Sequence, residues 1–167
     1  MYLEKAAGSA WTLGSSSTIK WPSTARAGNG NGGVAQIIKS TPGAIGYVDY
    51  ADAKASGLTF ASIKNSSGSY IAPSPTSASA AGNGITVASN LTFHAVDSPN
   101  PQAYPITYQS WVLVYETQSS TNDAAMLKAY IGYLIGPGQS LLTNLGYAPL
   151  PSSLQQMAQA QLSKIGM

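Results

Sequence analysis

Cysteine is absent from this chain, which excludes disulfides and thiol chemistry but leaves the redox compartment open. Charge is almost as scarce. Asp, Glu, Lys and Arg make up 8% of 167 residues, where soluble domains usually carry roughly 25%. Solubility therefore rests on the neutral polar residues, Ser, Thr, Asn, Gln and Gly. A formal net charge of +2 is too weak to argue for nucleic acid or an anionic membrane surface as a partner. No apolar run approaches the roughly 18 residues of a membrane-spanning helix. The first residues, Met1 to Gly8, lack the basic region and apolar core of a signal peptide and read as the last turns of a helix that begins elsewhere.

The inventory for catalysis is equally thin. The single histidine, His94, has Asp97 near it in sequence but no nucleophile at a fixed spacing. The six acids are Glu4, Asp49, Asp52, Asp97, Glu116 and Asp123, and only Asp49-x-x-Asp52 resembles a pair. With no cysteine and one histidine, the donors for a structural metal are missing. The expectation is a non-enzyme without cofactor or metal.

What is present is a fold-forming pattern, with 44% hydrophobic residues. The densest apolar run lies in Pro105 to Glu116, PITYQSWVLVYE. Its β-branched and aromatic residues predict a central strand covered on both faces. Ala44 to Tyr50, AIGYVDY, predicts a second strand, with Gly46 marking a close backbone approach. Thr59–Asn65 and Ser69–Ala72 read as extended pieces joined by a Ser-Ser-Gly turn. Asn83 to Pro101 is weakly patterned, with two possible strands. Helices are expected from Val34, Ile37 and Ile38; over Ser74–Ala81; and from a Ser120 or Thr121 cap through Leu127, Tyr130, Ile131 and Leu134 to Gly136-Pro137. A short one follows around Leu141, and a last one opens at Pro151. Alternating strands and helices point to an α/β fold.

One tract bears on ligands. Gly28-x-Gly30-x-x-Gly33, with Asp52 further on, matches a dinucleotide fingerprint. Pro22 to Ala27 separate it from any strand, and the helix expected after it is only about two turns long, too short for the usual unit. The weaker reading is an anion-binding loop of Gly30, Asn31, Gly32 and Gly33 at a helix N-terminus. The plain alternative is a turn that lets the chain enter the helix.

Four blocks in order, TLGSSSTIKWP, GNGNGGVAQIIKSTPGAIGYVDYADAK, YPITYQSWVLVYE and LGYAPLP with its terminal helix, resemble the phosphate-binding proteins of bacterial phosphate ABC transporters. The resemblance implies a periplasmic binding protein type II-like α/β fold with two lobes that close on inorganic phosphate. The chain then corresponds to the C-terminal half: 1–104 as part of the second, inserted lobe, and 105–167 as the return strand and C-terminal helices of the first. It also implies a periplasmic or extracellular, cell-surface location and an ABC permease as partner. In that family an Arg-x-Asp-x-Ser-Gly-Thr type motif holds phosphate. Here the one arginine, Arg26 in STARAGN, has no such motif around it. The expectation is a half-protein that does not bind phosphate alone, needing its missing N-terminal half, or else a binding-incompetent module that associates with itself.

Overall fold

Ser74 and Ser120 cap helices where the sequence places them. A computed structural model describes residues 1–167, in two compact units, Met1–Ser62 and Ile63–Met167.

The first unit begins with α1 (Tyr2–Ala6) and a 3-10 turn, Gly8–Ala10. Its main elements are α2 (Gly30–Ser40) and α3 (Tyr50–Ala55), which pack together and bury Ala35 and Ala53. α2 is eleven residues long and takes in the glycine tract. Gly30 to Gly33 thus form its first turn rather than a loop before it, and the two-turn estimate was short by one turn. The Ala44–Asp49 segment is extended but forms no strand, and Ile45 and Tyr47 are exposed. A Cβ at Gly46 would come within 2.9 Å of Ile38 Cδ1, so the neighbour that approaches Gly46 is a side chain of α2 and not the backbone expected from the sequence. Trp11, Trp21 and Tyr47 form an aromatic row, edge-on at 6.0 Å and then stacked at 6.1 Å. Such geometry holds the extended pieces of this unit by ring contact rather than by a ladder.

The second unit holds the only sheet, an antiparallel hairpin of β1 (Ile63–Lys64) and β2 (Tyr70–Ile71) with Ile63 opposite Ile71. The helices are α4 (Pro75–Ala80), α5 (Thr121–Ile135), α6 (Gln139–Leu142) and α7 (Ser152–Gln161), followed by a 3-10 turn at Leu162–Lys164. α4 starts on a reciprocal capping box between Ser74 and Ser77. Ser120 Oγ accepts from Asp123 N at 3.1 Å and caps α5. Two small cores result. Ala81, Ala95 and Ala103 pack with Phe93; Ala124, Ile131 and Ile165 pack with Leu127, Ile135 and Leu162. The inward stripe of α5 is Ala124, Leu127, Ile131 and Ile135. Tyr130 faces solvent at 62% exposure, a rotation away from the face expected from Leu127, Tyr130, Ile131 and Leu134.

The largest departure is Pro105–Glu116. It forms no strand, and beyond the buried Pro105 its apolar part is uncovered: Val112, Leu113 and Tyr115 are exposed, Leu113 by 90%. Nor do strands form in Asn83–Pro101. β-Propensity reports a fit to a pleated neighbour, and this chain offers these runs no neighbour to pair with.

Candidate functional site

The glycine tract and the start of α3 meet in the first unit. Asn29 is the N-cap of α2, extended at φ −80° and ψ 111°, and its side chain makes no capping bond. Gly30 follows at φ +63°, the left-handed region that glycine enters without a Cβ clash. Gly28 is required for a different reason: a Cβ there would lie 2.4 Å from Gly33 C and Val34 N. The tract therefore doubles back on the first turn of α2, with backbone against backbone.

Asn31 joins this turn to α3. Its Nδ2 donates to Asp49 Oδ2 at 2.8 Å and to Asp52 Oδ2 at 2.7 Å, while its Oδ1 accepts from Asp49 N at 3.3 Å. Asp49 caps α3 with no side-chain capping bond of its own, and its carboxylate turns to Asn31 instead. Beside the junction lies an open depression of about 390 Å³ lined by Gly32, Gln36, Lys39, Ser40 and Ser56. Lys39 is its one cation.

Of the sequence candidates, then, Gly30, Asn31, Gly32 and Gly33 share one helical turn, and the Asp49-x-x-Asp52 pair comes to Asn31. Electrostatically the place is mixed. First-turn N–H groups favour an anion, but two carboxylates stand on Asn31 and oppose one. His94 is exposed and outside this unit. Arg26 is exposed in the loop before the tract. No group of three or more His, Cys, Asp or Glu side chains is gathered anywhere, and no helix is long and apolar enough to cross a membrane. The junction of Asn31 with Asp49 and Asp52 escaped sequence reading because the partners lie 18 and 21 residues away. The only available signal was the acidic pair itself, placed at the start of a short helix.

The family described as PBP superfamily domain matches residues 3–137. The chain belongs to that family. This PBP chain is 31% identical over 152 residues to the phosphate-binding protein PstS of Pasteurella multocida, covering 90% of the chain and 44% of that protein. It is 28% identical over 157 residues to PstS of Haemophilus influenzae, covering 89% and 45%. Against PstS 3 of Mycobacterium tuberculosis it is 28% identical over 171 residues, covering 98% and 46%. The PBP chain therefore spans a little under half the length of the curated relatives it matches.

Proposed function

We propose that this chain is part of the phosphate-binding component of a phosphate ABC import system, a non-enzyme that works outside the cytoplasm beside its permease. The supporting observation is an alignment over 90% of the chain with a protein whose name states phosphate binding. On this reading residues 1–104 belong to the second lobe of a type II binding protein. Residues 105–167 return to the first lobe.

The chain does not hold phosphate alone. The Gly30, Asn31, Gly32 and Gly33 turn is its own contribution to an anion site. That contribution is weak, because Asp49 and Asp52 face the same turn. Strong phosphate recognition rests on forked, charge-assisted bonds from arginine, and the one arginine here, Arg26, sits in an exposed loop. The shell is completed by polypeptide outside this sequence. Calorimetric titration of inorganic phosphate into the chain alone, and into the chain mixed with the preceding portion of the Pasteurella multocida relative, tests this. Heat of binding is expected only in the mixture. Tight binding by the chain alone, abolished by Gly32→Leu, would overturn the dependence on a partner and assign the site to the turn.

One observation favours a second reading, a self-associating module. From Ile106 to Tyr115 the chain has ten residues without a charge, outside any helix or strand and largely exposed. An uncharged, exposed run of high β-propensity invites pairing with a second copy. Light scattering across a concentration series distinguishes the two: a dimer with no phosphate binding in either titration supports this reading, and a concentration-independent monomer excludes it.

A further inference from the structure

The chain contains three Asn–Gly pairs, Asn29–Gly30, Asn31–Gly32 and Asn83–Gly84, and the structure separates them. We infer that Asn29 and Asn83 are sites of spontaneous conversion to aspartate and isoaspartate, and that the bonds from Asp49 and Asp52 protect Asn31 from the same reaction.

The reaction needs three things: a free carboxamide, a backbone N–H on the next residue able to reach it, and local freedom to rotate. Glycine suits the second because no side chain shields its nitrogen. Once deprotonated, the glycine nitrogen attacks the asparagine Cγ. The new N–Cγ bond closes a five-membered succinimide, and the Cγ–Nδ2 bond breaks as ammonia leaves with the amide proton. Water then opens the ring at either carbonyl. One opening gives aspartate, and the other gives isoaspartate, with an extra methylene in the main chain. No oxidant or cofactor enters.

Asn29 meets the first two conditions, and its backbone is held by one long bond, donated by Gly33 N to Asn29 O at 3.3 Å. It is exposed, lies outside the helix, and its side chain makes no hydrogen bond. Gly30 is exposed at φ +63° with nothing within 4 Å of a Cβ position. Asn83 is similar: it is exposed in a turn, its side chain is without a hydrogen bond, and Gly84 stands at φ +75° in open space. Asn31 fails the first and the third. Its Nδ2 is shared by Asp49 and Asp52, its Oδ1 accepts from Asp49 N, and its backbone is part of α2. Reaction there requires three bonds to break and the first turn of α2 to open.

Conversion at Asn29 has a local consequence. Aspartate would place a carboxylate at the N-cap of α2, where the helix dipole welcomes it, while isoaspartate would lengthen the backbone and displace the cap. Either product adds negative charge beside the Gly30–Gly33 amides. It would lower any anion affinity of that turn; this last point rests on the proposed phosphate reading, whereas the conversion itself does not.

The test is peptide mapping by mass spectrometry during incubation of the folded chain in mildly alkaline buffer, with isoaspartate detected by enzymatic methylation. Asn29 and Asn83 should convert, and Asn31 should lag them by about tenfold or more, a factor set by how rarely the turn opens. In denaturant the three should convert alike. Asp52→Ala should speed Asn31 in the folded chain, with circular dichroism confirming that the helices persist. Asn31 converting as fast as Asn29 in the folded wild type, or lagging equally in denaturant, would overturn the inference. No phosphate is present in this assay, so its failure is distinct from failure of the functional reading.

Discussion

Within the second unit two β-prone regions have opposite fates. Around the β1–β2 hairpin every polar demand is met: Asn65, 5% exposed, accepts at Oδ1 from Ser67 N, Ser67 Oγ and Ser69 N, and donates from Nδ2 to Pro101 O and Ala103 O. One buried side chain thus sets the hairpin turn and ties it to a loop 36 residues away. The Pro105–Glu116 run has anchors near its ends and along one edge. Asp97 N donates to Pro105 O, Gly166 N donates to Glu116 O, and Gln109 and Trp111 reach back to the carbonyls of Phe93 and Leu91. Between those anchors Val112 to Tyr115 are exposed. The comparison teaches that stronger β-propensity did not secure pairing; a satisfied polar anchor and a neighbouring strand did.

The contrast can be broken most sharply at Asn65. Asn65→Leu removes five hydrogen bonds and leaves the buried Ala103 carbonyl without its Asn65 donor, and is expected to cost about 3 kcal/mol in urea unfolding. A loss under about 0.5 kcal/mol, the scale of an ordinary surface change, would mean the network does not anchor the hairpin. Helix α5, which follows the open run, is a milder case. Ser120→Ala should cost about 1 kcal/mol through loss of the cap on Asp123 N, read from the same unfolding curves.

Asp123 sharpens this with pH. Hydrogen bonds donated by Ser119 Oγ at 2.7 Å and Ser120 Oγ at 2.8 Å lower its carboxyl below the ordinary value of 3.8. A carboxyl lowered on folding stabilises fully above its unfolded value, and that contribution fades as pH falls through the folded one. Stability should therefore drop below about pH 4 more steeply in wild type than in Asp123→Asn, a difference checked by thermal melts at stepped pH. The smallest effect on stability is expected in the open run itself. Leu113→Lys should change unfolding by no more than about 0.5 kcal/mol, because the side chain is already in water. The same substitution should suppress any self-association seen by light scattering, since a charge on an unpaired strand opposes edge pairing.

The helices were legible because their signals are local. Ser74, Ser120, Pro151 and Gly136 mark ends by chemistry that acts within a turn, and the hairpin at Asn65 to Ser69 was read from its Ser-Ser-Gly turn. The open strands were not legible as open. Trp111 to Tyr115 announces burial, yet burial depends on a partner that the run itself does not encode. The candidate site was half readable. The glycine tract stood out, but its role in letting Gly28 lie against Gly33 depends on a local backbone path with no periodic trace, and the claim of Asp49 and Asp52 on Asn31 is made across 18 and 21 residues.

The central proposal is that this chain completes its fold, and contributes to a phosphate site, only together with further polypeptide. Amide hydrogen exchange over Val112 to Tyr115 tests it most directly, measured on the chain alone and after adding the preceding portion of the Pasteurella multocida relative. Rapid exchange alone and strong protection in the mixture, together with phosphate binding, is the result predicted. Strong protection in the isolated monomer, or exchange that stays rapid in a mixture that binds phosphate, would contradict it.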